Sequence, residues 1–203
     1  MKNNLVTLSL AITLAASSVS AATITFSNTN TAFDSLLAVV SSTDQVITNG
    51  NGSISVGYFT DDTAVSSGDF SSFVQFGSST TFGAGNAFGV SSIYVGETSQ
   101  DILAGSSFID ENIYTFVTFG GDALVAKSTL TFQQDNPTFV AGMDIANDGG
   151  ISYLFGGTAG PLVDLGGGDV ASIRLQAVPE PSAYAALAGL MALGYVMVRR
   201  RRA

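Results

Sequence analysis

Short segments in which apolar and polar residues alternate, separated by glycine-rich turns, constrain the fold of this chain more than any other feature. In residues 53–59 the apolar Ile54 and Val56 fall on alternate positions, which is the period of a strand with one buried face. The preceding residues 49–52 read Asn-Gly-Asn-Gly, and such residues favour tight turns. We therefore expect residues 45–48 and 53–59 to pair as a hairpin.

Two further regions carry strand signals. Residues 113–119 are almost all β-branched or aromatic, and the glycine pair 120–121 connects them to the mainly apolar residues 123–132, so we expect a second hairpin there. Residues 171–177 alternate again and predict a last strand. Many short strands with glycine-rich turns indicate a mostly β fold, and we expect a single antiparallel β-sandwich or jelly-roll-like domain.

Helical signals between the two ends of the chain are few. Phe70 and Phe73 recur at helical spacing between Asp69, an N-cap candidate, and Gly77, a C-cap candidate, so we predict one short helix there. Residues 33–40 fit both a helical face and a strand, and we favour the strand.

The residue types that are missing exclude much chemistry. The sequence includes no cysteine, histidine or tryptophan, so disulfides, Cys/His metal centres, thiol nucleophiles and His-dependent triads are all excluded. Carboxylate, hydroxyl and amide chemistry remain. A sugar-binding surface lacks tryptophan, its best stacking residue, and only Tyr58, Tyr94, Tyr114 and Tyr153 are left as candidates for it.

Residues 1–21 have the order of a secretory signal peptide. Lys2 is followed by an apolar stretch that is shorter than a membrane span, and residues 17–21 are small. We therefore predict export and cleavage by signal peptidase between Ala21 and Ala22, with Thr23 as the alternative first residue of the mature protein.

Residues 179–203 combine a motif, an apolar run and a basic cluster. The motif is Pro179, Glu180 and Pro181, and the cluster is Arg199, Arg200, Arg201 and Arg202. Between them, residues 183–198 are uncharged, and as a helix they cover about 24 Å, a marginal length for a transmembrane helix in a hydrocarbon core of about 30 Å. The arginines should stay on the cytoplasmic side, which places the preceding residues outside the inner membrane.

This arrangement resembles the PEP-CTERM sorting tail of bacterial proteins, and the likeness covers residues 178–203 only. The resemblance implies export, transient retention in the inner membrane, and a bacterium that makes extracellular polymer. It also implies that an exosortase-type processing enzyme, a membrane-embedded cysteine protease or transpeptidase, recognises Pro179, Glu180 and Pro181 and removes the helix. The domains that precede the tail differ widely among members of this family, so the resemblance indicates where the protein is sent and not what activity it has.

Residues 22–178 form an acidic body. They include 15 of the 16 acidic residues but only Lys127 and Arg174 as basic ones, a net charge of −13. Such a surface repels nucleic acid and anionic lipid and attracts divalent cations or cationic partners. A charge that keeps an exported protein soluble is the simpler interpretation, and we favour it.

One loop has the composition of a weak calcium site. Asp144, Asn147 and Asp148 lie close together in the sequence and precede two glycines, and calcium takes such oxygen ligands. The spacing is not that of an EF-hand, and we favour a plain turn without a metal, so no cofactor is predicted.

Two adjacent carboxylate pairs are candidates for hydrolytic chemistry. The pairs are Asp61-Asp62 and Asp110-Glu111, but neighbours on a strand point to opposite faces and therefore do not flank one bond. Lys127 has no serine three positions before it, so a Ser-x-x-Lys dyad is absent. We therefore expect no enzyme activity.

These features together predict an exported bacterial protein of structural or adhesive type at the cell surface or in the extracellular matrix. Its expected partners are signal peptidase, the exosortase-type enzyme, the inner membrane transiently, and extracellular polysaccharide, but not nucleic acid. Two alternatives stay open: a carbohydrate- or calcium-dependent binding module, which an exposed aromatic strip would favour, and a carboxylate hydrolase, which two converging carboxyl groups would favour.

Overall fold

The computed structural model describes residues 21–29, 36–84, 90–133, 140–145 and 150–201, and the fold is mostly β, as predicted. A 3-10 turn (Val65–Ser67) and one C-terminal helix, α1 (Pro181–Arg201), accompany the strands. The strands are β1 (Ala22–Ser27), β2 (Ala38–Val40), β3 (Ser53–Phe59), β4 (Phe73–Thr80), β5 (Val95–Gln100), β6 (Asn112–Phe119), β7 (Asp122–Thr131), β8 (Val140–Asp144), β9 (Ser152–Phe155), β10 (Thr158–Ala159), β11 (Val163–Asp164), β12 (Asp169–Val170), β13 (Ser172–Arg174) and β14 (Gln176–Ala177).

The largest sheet has six strands and is antiparallel. Its order is β14-β7-β6-β3-β4, and β9 pairs with β7 beside β14. Strand β3, which lies between β6 and β4, is buried from Ile54 to Phe59, because both of its faces are covered. The predicted hairpin between residues 113–119 and 123–132 is confirmed as β6 and β7, which pair across the glycine turn at residues 120–121.

A second sheet packs beside the free edge of β4. Its order is β5-β1-β8, with β1 and β8 parallel. Two side chains of β5 bond to the backbone of β4, since Gln100 Oε1 accepts from the Gly77 N–H at 2.9 Å and Thr98 Oγ1 accepts from the Ser78 N–H at 2.8 Å. These bonds occupy donors on an edge that is otherwise open to pairing with another chain.

Two small sheets complete the described fold. One has the order β10-β13-β2, with β2 parallel to β13, and the other is the β11–β12 hairpin. Ala38, Val40 and Val163 form a small apolar cluster between them. The strand favoured for residues 33–40 is confirmed for β2, while residues 30–35 lie outside the described part of the chain.

Phenylalanine fills the core from both sides of the main sheet. Phe76, Phe108 and Phe132 pack together on one face, with ring centroids 5.0–5.3 Å apart. On the other face a second group of rings, here called the outer aromatic cluster, packs at 4.9–6.1 Å. The outer aromatic cluster is Phe59, Phe70, Phe73, Phe116 and Phe155. Its members Phe70, Phe73 and Phe116 are only half buried.

The predicted hairpin between residues 45–48 and 53–59 is wrong. β3 pairs with β4 and β6, whereas Ile47 exchanges bonds with Ser92, whose hydroxyl oxygen accepts from the Ile47 N–H at 2.9 Å. The turn residues behave as expected, because Gly50 has φ +79°. The turn therefore directs the chain to a distant partner and not back onto its neighbour.

The predicted helix between Asp69 and Gly77 is also wrong. Residues from Phe73 onward form β4, and Asp69 accepts from the Ser71 N–H at 3.0 Å in a local turn. Pairing with β3 and the packing of Phe73 on Phe59 at 5.0 Å outweigh the weak helical spacing.

The predicted last strand over residues 171–177 is broken into β13 and β14. Ile173 and Leu175 are buried as the alternation indicates, but Ala171 and Ala177 are exposed. The break at Leu175 lets the chain leave one sheet and enter another, since Leu175 N–H donates to the Val40 carbonyl at 2.8 Å and Gln176 pairs with Ala123.

Candidate functional site: the junction between the body and the C-terminal segment

The last residues of the body are held on the edge of the main sheet. In β14, Gln176 and Ala177 pair with the first two residues of β7. The next residue, Val178, donates its backbone N–H to the carbonyl of Gly121 at 2.9 Å, and its side chain packs on the core. The chain is thus bound to the body up to Val178.

Pro179 lies against the turn that closes at Gly68. This glycine has φ +85° and donates its N–H to the Val65 carbonyl at 2.9 Å. A Cβ atom on Gly68 would lie 2.9 Å from Pro179 Cδ and 3.5 Å from Phe155 Cε2. Only a residue without a side chain leaves room for Pro179 here.

The helix α1 begins at Pro181, so residues 178–180 alone connect it to β14. Proline suits the first position of a helix because its φ is already helical and its missing N–H has no partner to lose. Both Pro179 and Glu180 are exposed. The sequence predicts a helix over residues 183–198, and the observed helix extends beyond it at both ends.

The large apolar side chains described on α1 are exposed to solvent. Their exposed fractions are 55% for Leu187, 67% for Leu190, 63% for Met191, 53% for Leu193, 68% for Tyr195 and 57% for Met197. Arg199 and Arg200 are exposed beyond them, whereas nothing is described of the side chain of Arg201 or of Arg202. Within the described part of the chain, no helix has both the length and the apolarity needed to cross a membrane.

The predicted signal cleavage site borders a buried strand. Ala21 is exposed, and Ala22 opens β1 with 4% of its surface exposed and pairs with Gln100. The preceding residues 1–20 lie outside the described part of the chain. Cleavage before Ala22 would leave β1 whole.

Asp62 is the centre of a polar cluster on the surface of the body. Its Oδ2 accepts from Lys127 Nζ at 2.8 Å and from the Tyr114 hydroxyl at 2.7 Å. The Lys127 ammonium also lies 5.4 Å from the centroid of the Tyr114 ring. The hydrogen bonds from Lys127 and then from Tyr114 lower the pKa of Asp62, and the hydrogen bond to Asp62 raises the pKa of Lys127.

Folding lowers the pKa of Asp62 from its ordinary value of 3.8. The charged carboxylate therefore stabilises the body fully at pH values above that ordinary pKa, and this stabilisation is lost as the pH falls through the lower pKa of the folded state. We expect Asp62→Asn to lower the free energy of unfolding at pH 7 by about 1 kcal/mol, since the cluster is partly screened by solvent. The difference from the wild-type protein should shrink as the pH falls through the lowered pKa of Asp62. Urea denaturation over a series of decreasing pH values measures it, and a loss that is the same at every pH would contradict the assignment.

The adjacent carboxyl groups of Asp61 and Asp62 have different partners. Asp61 accepts from the Thr63 N–H at 2.9 Å, and the hydrogen bonds of Thr63 lower its pKa. Asp62 faces Lys127 instead, so neither carboxyl has the raised pKa of a general acid. Asp110 and Glu111 lie in a turn, where Asp110 has φ +63°.

The predicted tyrosine candidates for a sugar platform are mainly core residues. Tyr58, Tyr94 and Tyr114 expose 4%, 0% and 3% of their surface, and Tyr153 is half buried. A stacking platform needs accessible ring faces, so Tyr58, Tyr94 and Tyr114 are unsuitable as candidates for it, which leaves Tyr153 of the four.

The calcium candidates fall largely outside the described residues. Asn147 and Asp148 lie there, and Asp144 ends β8, where only its backbone is described. Among the described residues, no group of three acidic side chains is placed to hold a metal ion.

The motif is recognisable from the sequence, but the residues that hold its upstream side are not. We call Gly68 and Gly121 the tail clamp, because Gly68 lies against Pro179 and the Gly121 carbonyl accepts from the Val178 N–H. The sequence identifies Gly121 only as a turn residue. No local pattern marks Gly68, since its partner in the clamp is distant in the sequence.

No protein-family model, no curated protein and no solved structure matches this chain. The resemblance of residues 178–203 to a PEP-CTERM tail therefore stays a prediction from the sequence.

Proposed function

We propose that the chain is an exported bacterial protein whose C-terminal segment, residues 179–203, is a temporary anchor and sorting signal. In this proposal signal peptidase cuts before Ala22, which becomes the first residue of the protein. The helix then retains the protein in the inner membrane until an exosortase-type enzyme removes the helix at Pro179-Glu180-Pro181. The body then reaches the cell surface or the extracellular matrix.

The observation that carries the proposal is the exposed apolar helix that starts directly after the motif. Exposed apolar surface of this extent is costly in water and marks a segment that meets lipid or a partner. The exposed Arg199 and Arg200 stand at the end where a cytoplasmic basic cluster is expected. A permanent membrane anchor would not need a recognition motif before the helix, whereas an anchor that an enzyme removes does need one.

The acidic body supports a structural or adhesive role in the matrix. Both basic side chains of the body are engaged in ion pairs, Lys127 with Asp62 at 2.8 Å and Arg174 with Asp44 at 2.6 Å. The remaining charge is therefore acidic, which suits solubility and keeps the surface away from nucleic acid. We assign the body a sandwich or jelly-roll-like architecture, no catalytic activity and no cofactor.

We expect Glu180→Ala to leave export intact and to block processing, because the carboxylate lies outside the apolar run and within the motif. Unprocessed protein should accumulate in the inner membrane by at least about tenfold over wild type, the effect of losing one charge-assisted recognition contact. Membrane fractionation followed by immunoblotting with an antibody to the body measures this.

The matched control is Glu97→Ala, which removes another exposed glutamate, from β5, and should be processed normally. If Glu180→Ala and Glu97→Ala are processed at the same rate, Glu180 is not part of the recognition signal.

A further inference from the structure

We propose that the folded body determines where the tail is cut: the tail clamp retains residues up to Pro179, so the cut falls on the helix side of Pro179. The inference rests on the proposed function, because it concerns the processing of the same segment. It predicts that the mature protein keeps Val178 and Pro179 as part of its fold.

The upstream limit follows from the contacts of β14 and the tail clamp. A processing enzyme must reach the backbone at the bond that it cuts, which is easiest where no strand has to be unpaired and no helix unwound. To expose a bond before Pro179, it would have to remove Gln176 and Ala177 from β7 and break the bond between Val178 N–H and the Gly121 carbonyl. It would also strip the half-buried Val178 from the core. Each of these losses costs free energy and therefore weakens binding of the tail by the processing enzyme.

The downstream limit follows from α1. From Pro181 onward the backbone is helical, and in a helix the carbonyl groups of the first turn accept hydrogen bonds from the turn that follows. Between the two limits lie only the Pro179–Glu180 and Glu180–Pro181 bonds, and both residues before the helix are exposed. The cut is therefore confined to these two bonds.

The chemistry at either bond is ordinary acyl transfer. A thiolate of the processing enzyme attacks the carbonyl carbon of Pro179 or Glu180, the C–N bond breaks, and the nitrogen of the next residue takes a proton and leaves with the helix. The acyl group then passes to water, which gives a free carboxylate, or to an amine, which gives an amide.

Two glycine variants distinguish loss of the contact with Pro179 from the backbone strain that any side chain causes at positive φ. Gly68→Ala and Gly105→Ala place a side chain at nearly equal positive φ, +85° and +82°. The new Cβ at residue 68 would lie 2.9 Å from Pro179 Cδ, whereas at residue 105 nothing lies within 4 Å. Only Gly68→Ala should loosen the tail.

The first test is amide hydrogen exchange of the full chain in detergent micelles. The Val178 amide should exchange slowly in the wild-type protein, about tenfold faster in Gly68→Ala, and less than about threefold faster in Gly105→Ala. An unprotected Val178 amide in the wild-type protein, or equal acceleration in both variants, would overturn the proposal.

The second test does not depend on either variant folding. Peptide mass mapping of wild-type protein from the cell surface should place the C-terminus at Pro179 or Glu180. A C-terminus at Val178 or earlier overturns the tail-clamp proposal and leaves the sorting proposal standing. A chain that still ends at Ala203 contradicts the sorting proposal itself, so the two failures are distinguishable.

Discussion

Replacing Gly57 with alanine is expected to destabilise the body by about 3 kcal/mol. Gly57 lies in the buried centre of β3. An added Cβ would collide with the Val74 carbonyl oxygen and come within 2.8 Å of Phe73 Cζ. Because the first of these atoms is backbone of the paired strand β4, a rotamer change does not relieve the clash and the two strands must separate.

Gly121→Ala is the matched control for this prediction. A Cβ at Gly121 meets nothing within 4 Å, so this variant should unfold at the wild-type denaturant concentration or slightly above it. Urea denaturation of the purified protein, followed by far-UV circular dichroism, gives both values. Equal midpoints for Gly57→Ala and Gly121→Ala would show that β3 and β4 are not packed as described.

Phe76→Ala is expected to lower the free energy of unfolding by about 3–5 kcal/mol, which is a large part of the stability of a typical domain. The side chain is fully buried, and its ring lies 5.3 Å from that of Phe108 and 5.0 Å from that of Phe132. Truncation removes the buried ring and leaves a cavity lined by two other rings. Little of that cavity can close, because the backbone of Phe132 is hydrogen-bonded to that of Asp110 and Glu111 and is therefore held in place.

Leu162→Ala serves as the control for Phe76→Ala. Leu162 is 67% exposed, so its truncation should change the free energy of unfolding by less than about 0.5 kcal/mol. A loss below about 1 kcal/mol for Phe76→Ala in the same denaturation experiment would place Phe76 outside the core.

The elements predicted well are those whose signals are local. The β6–β7 hairpin has a β-branched and aromatic strand, a Gly120-Gly121 turn and a second apolar strand in direct succession, so its pairing follows from its own sequence. The mostly β character follows in the same way from the repeated short alternations.

The elements predicted wrongly depend on distant partners. Residues 45–48 approach Ser92 and not β3, and the residues after Asp69 become β4 because β3 offers a free edge and an aromatic partner in Phe59. Neither partner is adjacent in sequence. Local periodicity carries no information about such pairings, and tertiary contacts override weak helical spacing.

The candidate site also has one part that the sequence predicts and one part that it does not. The motif at residues 179–181 and the apolar run after it are contiguous and are recognisable from the sequence. The contact between Pro179 and Gly68 joins two distant parts of the chain. It follows from the pairing of β14 with β7, which the sequence alone does not predict. The sequence thus predicts a sorting signal, and the fold shows that the chain is bound to the body up to Val178, directly before the predicted motif.

The central claim, that both ends of the chain are removed on the way to the cell surface, is tested most directly by the intact mass of surface or matrix protein. The account predicts a single polypeptide that begins at Ala22 and lacks residues 181–203. A mature protein that still ends at Ala203 would contradict it, because residues 179–203 would then be a permanent part of the protein.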